Sequence, residues 1–202
     1  MNKTEYDEAQ VQELLYQALE TEIGGIEVYT HALQCAVNPD LRKEWQEYLE
    51  ETMHHKEVLL GVFESLGLDP ATQTPGRQVV AHLGASLVQA MRMAMKMSDA
   101  HGAQLVAGEC VVLAETKDHM NWELIGHVAK NAQGDWIPVL MAAYDEVEDD
   151  EDHHLYHTKG WTRELWIESL GLPAVLPPPE EIRQVDSAMA AARAEQQRDH
   201  MM

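Results

Sequence analysis

The chain has 202 residues and a formal net charge of −21, from 35 acidic against 14 basic side chains. That length suits one domain with a full apolar core, with or without a tail. The acidic excess excludes the basic footprint that a nucleic-acid binder needs.

Two cysteines, Cys35 and Cys110, without a CxxC pair argue against a disulfide framework or a thiolate metal site. They point instead to a reducing, cytoplasmic setting. The opening "MNKTEYDEAQ" has no apolar stretch of the kind a leader carries, and no run of about 20 apolar residues predicts a membrane span.

Strand signals are nearly absent. The first predicted helix covers about residues 6–37 and stops at "NPD"; the second covers about 40–66 and stops at Gly67 and Pro70. Pro39 suits the first turn of the second helix, where its missing N–H does no harm. After the loop "GLDPATQTPG" comes a helical crossover segment, about 77–97. A third long helix is expected at about 99–131, ended by "NAQGD", and a fourth at about 135–158. A short helix at about 161–170 precedes the Pro-rich "GLPAVLPPPEE", and the last twenty residues read as a polar, Ala-rich helix. Two long helices, a long connection and two more long helices form a near-repeat. It predicts an all-α four-helix bundle with one long crossover, an extra helix in that crossover and a C-terminal helical extension. The expected division is a bundle domain at 1–170 and a strap with tail at 171–202.

On a helix, residues three, four and seven apart share a face. On the first helix, Val11, Leu15, Leu19, Ile26, Tyr29 and Leu33 form an apolar stripe with Glu22 at its centre. On the second, Leu41, Tyr48, Val58, Val62 and Leu66 surround Glu51, with His54 and His55 flanking. The third carries Glu115 among Gly108, Val111, Val112, Trp122 and Gly126, with Asp118 and His119 on either side. The fourth carries Glu151 and His154 among Leu140, Tyr144, Val147 and Leu155, while Asp145, Asp149, Asp152 and His153 point elsewhere. Each long helix therefore centres one glutamate on its inward face. Two of these acids begin a Glu-x-x-His, "ETMH" at 51–54 and "EDHH" at 151–154. Four carboxylates converging in a core need compensating cations. Two divalent metals supply that charge, and oxygen-rich ligation with one histidine per metal favours iron or manganese over structural zinc.

Other signals are weaker. Met91, Met93, Met95 and Met97 offer thioethers suited to copper(I), but helical spacing splits them over two faces. His153 and His157, four apart, suit an adventitious surface metal, and Trp161 and Trp166 suit packing of the last helix on the bundle.

The order Glu22, "ETMH", Glu115, "EDHH" resembles the ferritin-like di-iron carboxylate superfamily, bacterioferritins and rubrerythrins in particular. The seven-residue interval from Glu22 to Tyr29 and the stretch "EETMHHKEVLLGVFESLGLDP" are similar to the first and second helices of those families. The resemblance covers about residues 8–160 and leaves the crossover helix, the Pro-rich stretch and the tail unexplained. It implies Glu22 and Glu115 as terminal carboxylates, Glu51 and Glu151 as bridges, and His54 and His154 as nitrogen ligands to two iron ions, or manganese. Tyr29 would stand beside them in a catalytic role. Asp118 occupies the place of an additional carboxylate ligand of rubrerythrins, and His119 is a further candidate. The CxxC pairs of a rubredoxin-like domain are missing. The implied activity is that of an oxidoreductase on O2 or peroxide, peroxidase- or ferroxidase-like, with an external electron donor and a homodimeric assembly. An oxygenase of an organic substrate, a manganese catalase, an iron carrier and a purely structural bundle are the alternatives.

Overall fold

A computed structural model of the protein describes residues 5–198 and 201. Among them are seven helices and no strand. They are α1 (Glu8–Cys35), α2 (Pro39–Leu66), α3 (Pro75–Met97), α4 (Ala100–Asn131), α5 (Ile137–Ser169), α6 (Pro179–Ile182) and α7 (Ala188–Gln197). Side chains that accept a backbone N–H start most of them: Asp7, Asn38, Thr74, Asp99 and Ser187. Gly67 ends α2 in the left-handed region at φ 68°, where the absence of a Cβ removes the strain. No helix is long and apolar enough to cross a membrane.

α1, α2, α5 and α4 touch in a closed ring, and α3 lies against α1 and α4. Two apolar clusters fill the ring. One contains Tyr29, Trp45, Tyr48, Val111 and Trp161; the other contains Leu19, Leu59, Trp122, Ile125 and Val147. On every helix of the ring the chain passes from one cluster to the other through buried polar residues. They include Glu22 on α1, Thr52 and His55 on α2, Glu115 and Asp118 on α4, and Glu151 and His154 on α5. A charged layer thus lies between two apolar ones.

The fourth long helix and the short helix predicted at 135–158 and 161–170 are one continuous helix, α5. Gly160 does not break it. A Cβ there would lie 2.5 Å from Glu180 Oε2 and 3.1 Å from Pro178 Cβ, so the glycine admits the Pro-rich segment against the helix. Arg163 donates to both oxygens of Glu180 at 2.7 and 2.9 Å. Buried Glu164 accepts from the Val175 N–H and from Arg198. His157 lies inside, not on the surface: its Nε2 donates to the Val185 carbonyl at 3.0 Å, and its Nδ1 lies between Glu44 and Glu181. Trp161 is buried and donates to Glu44, while the half-exposed Trp166 donates to Glu109. The Ala-rich tail is helical over Ala188–Gln197; residues 199, 200 and 202 of that expected helix lie outside the described residues. Met91 is core, whereas Met93, Met95 and Met97 are exposed, so the four thioethers do not converge.

Candidate metal centre

The inward face of α2 runs Leu41, Trp45, Tyr48, Thr52, His55, Leu59, Val62, all buried. The steps alternate four and three, which keeps one stripe facing the core. This register corrects two expectations. His54 falls outside the stripe; its side chain is 56% exposed and pairs with Glu146 at 3.0 Å. His55, fully buried, takes the inward place. Glu51 also falls to the edge, its side chain 40% exposed, so its carboxylate does not stand between the other acids. Three residues before His55, the inward position is Thr52, whose hydroxyl donates to the Tyr48 carbonyl.

The other ring helices follow the sequence reading. Glu22 on α1, Glu115 on α4, and Glu151 and His154 on α5 are buried and face one another. Asp118, a subsidiary candidate in the sequence, is 4% exposed and joins them. His119 does not. It is turned to the α4–α5 surface, where its Nε2 meets Asp152 Oδ1 at 2.7 Å. Tyr29 is wholly buried, and its hydroxyl has no hydrogen-bond partner.

Among the described residues three three-residue groups have ligand atoms within 4.8 Å of one another: Glu44, His157 and Glu181, away from this layer, and two within it, His55, Glu151 and His154, and Glu22, Asp118 and Glu151. Glu151 belongs to both. His55 Nδ1 is 3.0 Å from Glu151 Oε1 and 4.0 Å from Glu22 Oε1. His154 Nδ1 is 3.7 Å from Glu115 Oε2 and 4.0 Å from Glu151 Oε1. None of these approaches has hydrogen-bond alignment. Glu22 Oε2, Glu115 Oε2, Asp118 Oδ1, Glu151 Oε2 and both histidine Nδ1 atoms are buried without a partner. Orphaned polar atoms are rare in protein interiors, and six around one point require an explanation.

The far side of each ring is occupied. His55 Nε2 lies 3.2 Å from Asp150 Oδ2, and His154 Nε2 lies 2.8 Å from Glu51 Oε2. An ionised carboxylate only accepts, so each Nε2 carries the hydrogen, and in the neutral ring each Nδ1 presents its lone pair to the centre. The rings stack with centroids 5.5 Å apart. Carboxylates that fix the tautomer of inward-facing imidazoles are the usual outer support of metal-binding histidines. Trp122 Nε1 similarly donates to Glu22 Oε1 at 2.9 Å, leaving Oε2 free. Asn121 donates to Thr21 and accepts from Lys117, tying α1 to α4 beside Asp118.

The electrostatics agree with the geometry. Burial, then the charge of Asp118, pushes Glu115 up to about 8. Burial pushes Asp118 up to about 7. Glu22 and Glu151 are raised well above the carboxylate range, by burial first and by Asp118 next. Burial lowers His154. For His55 burial acts in the same direction, but the Asp150 hydrogen bond and the charges of Glu22 and Asp118 outweigh it and raise the pKa.

The donor set fits metal ions. Buried carboxylates offset the charge of a cation, the imidazoles add nitrogen ligands without adding charge, and the ligand groups sharing Glu151 could hold a metal ion. His55 and Asp150 are the residues that the Glu-x-x-His reading missed. A signal for His55 was present: Leu41, Tyr48, His55 and Val62 recur every seven residues.

The chain matches no family model, no curated protein and no solved structure.

Proposed function

We propose that the chain is a ferritin-like di-metal carboxylate protein that oxidises Fe(II) with O2 or peroxide. The observation that carries this reading is the set of six orphaned ligand atoms, converging from four helices, with both histidines held from behind by carboxylates. Glu22, Asp118 and Glu151 would hold one ion; His55, His154 and Glu151 would hold the other; Glu115 stands by His154. Iron held there would supply the one-electron chemistry that O2 or peroxide reduction requires.

The chain's part is preparation. Asp150 and Glu51 keep the imidazole lone pairs inward, Trp122 orients Glu22, and the apolar clusters above and below exclude bulk water. Raised carboxyl pKa values mean that arriving cations displace protons, so affinity increases with pH. The reading of an organic-substrate oxygenase is less well supported. The apolar cavity between α1, α3 and α4, about 280 Å³, is lined by Gly24, Val80, Leu83 and their neighbours and by none of the six ligand residues.

Elemental analysis of protein purified without chelator, followed by anaerobic Fe(II) titration and O2 exposure, tests the proposal. Two ions per chain and O2 uptake with a rise in near-ultraviolet absorbance are expected. Substoichiometric metal that dialysis removes would overturn it.

A further inference from the structure

The ligand residues are buried, so an arriving cation must shed its water on the way in. A cleft of about 200 Å³ opens between α4 and α5, and its walls include His119, Glu123, Glu148, Asp152 and Glu151. Side-chain exposure falls in order along this set. It is 67% at Glu123, 44% at Glu148, 22% at Asp152, 14% at His119 and 2% at Glu151. The innermost member is the carboxylate common to both ligand groups, and its Oε2 is buried and unpartnered. Among the described residues no Lys or Arg lines the cleft; Lys130 lies outside it, 3.7 Å from Glu148. The apolar cavity behind α1 and the cleft beside His54 and Glu146 contain none of the six ligand residues in their walls.

We infer that the α4–α5 cleft is the entry route for divalent cations, with His119, Asp152 and Glu123 as an outer station on the way to Glu151. This rests on the proposed metal centre. The station has the chemistry for brief capture. His119 Nε2 is 2.7 Å from Asp152 Oδ1, and its Nδ1 is 3.8 Å from Glu123 Oε2, so the imidazole has a carboxylate at each nitrogen and offers a passing ion one nitrogen–carboxylate pair after another. Each inward step replaces hydration water by carboxylate oxygen. A cleft of one sign with low-dielectric walls also concentrates the counter-ion at its mouth. Such a site raises the rate of loading without altering the final occupancy.

The test is stopped-flow uptake of Co(II) by metal-free protein, followed by cobalt absorbance, with stoichiometry from equilibrium dialysis. The Glu123→Gln/Glu148→Gln variant should load about tenfold more slowly than wild type at low ionic strength, with unchanged stoichiometry. Added salt should slow wild type more than the variant. His119→Gln should also slow loading. The Glu57→Gln/Glu146→Gln variant, altered at the other cleft, should load at the wild-type rate. Unchanged loading in the first variant, or equal slowing in the second, overturns the route while leaving the metal centre standing. Failure of wild type to bind cobalt overturns both.

Discussion

At the residue scale, adjacent histidines on α2 have opposite fates. His54 leans out to Glu146, and His55 turns its Nδ1 to the centre. His54→Ala should leave metal content and affinity as in wild type, whereas His55→Ala should reduce Co(II) affinity more than 100-fold, beyond the outer-support range. Asp150→Asn and Glu51→Gln act one step away, on the orientation of His55 and His154. Each should weaken affinity by about 10- to 100-fold without changing stoichiometry. Competition titration against a chelator separates these classes. Equal losses in the His54 and His55 variants would mean that the register of α2 is wrong.

The carboxyls predict a pH dependence. Glu115 at about 8 and Asp118 at about 7 stand well above the unfolded value of about 4. Between those limits the folded, metal-free chain keeps protons that the unfolded chain releases. Its stability therefore falls as pH rises from about 4 to about 8, by up to about 1.4 kcal/mol per group per pH unit. On the proposed function, metal held by the folded state would cancel the repulsion. Thermal melts should show metal-free and loaded protein diverging toward neutral pH; parallel curves would refute the account.

At the element scale, glycines separate two uses of one residue. Gly160 lies inside α5 because Glu180 and Pro178 occupy the space of a Cβ. Gly160→Ala should cost about 1–3 kcal/mol by forcing the strap outward. Gly61 is exposed on α2 with nothing within 4 Å of a Cβ, so Gly61→Ala should stabilise by about 0.5–1 kcal/mol. Chemical denaturation of the two variants gives opposite signs if the strap packs as described. The sequence offered no way to tell these glycines apart. Gly160 reads as a helix break until its neighbour, twenty residues on, is known.

At the scale of the whole molecule, His157 joins three parts. It sits between Glu44 of α2 and Glu181 of α6 and donates to the Val185 carbonyl. Burial opposes its charge, but Glu181 and Glu44 more than compensate and raise its pKa to about 9. A raised pKa means that this contribution is full below about 6.5 and disappears as pH rises through about 9. Replacing His157 by Gln should cost on the order of 2 kcal/mol near pH 6 and little near pH 10. Limited proteolysis should show the segment after Leu170 released at lower protease concentration in that variant at pH 6, and a pattern identical to wild type would exclude this role.

The sequence by itself determined that the protein is helical, where its long helices begin, and that Glu22, Glu115, Glu151 and His154 face inward. Those facts rest on local periodicity and capping, which act within a few residues. Tertiary structure decided the rest. On α2 an acidic, His-rich stretch allowed two registers differing by one residue, and only packing of Trp45 and Leu59 into the two apolar clusters selected His55 over His54. Asp118 was a subsidiary candidate until the fold set it beside Glu22 and Glu151, and Asp150 was one acid among 35 until the fold set it behind His55. A step of one residue on a helix is a turn of 100°, so burial, which depends on the neighbouring helices, had to choose the face.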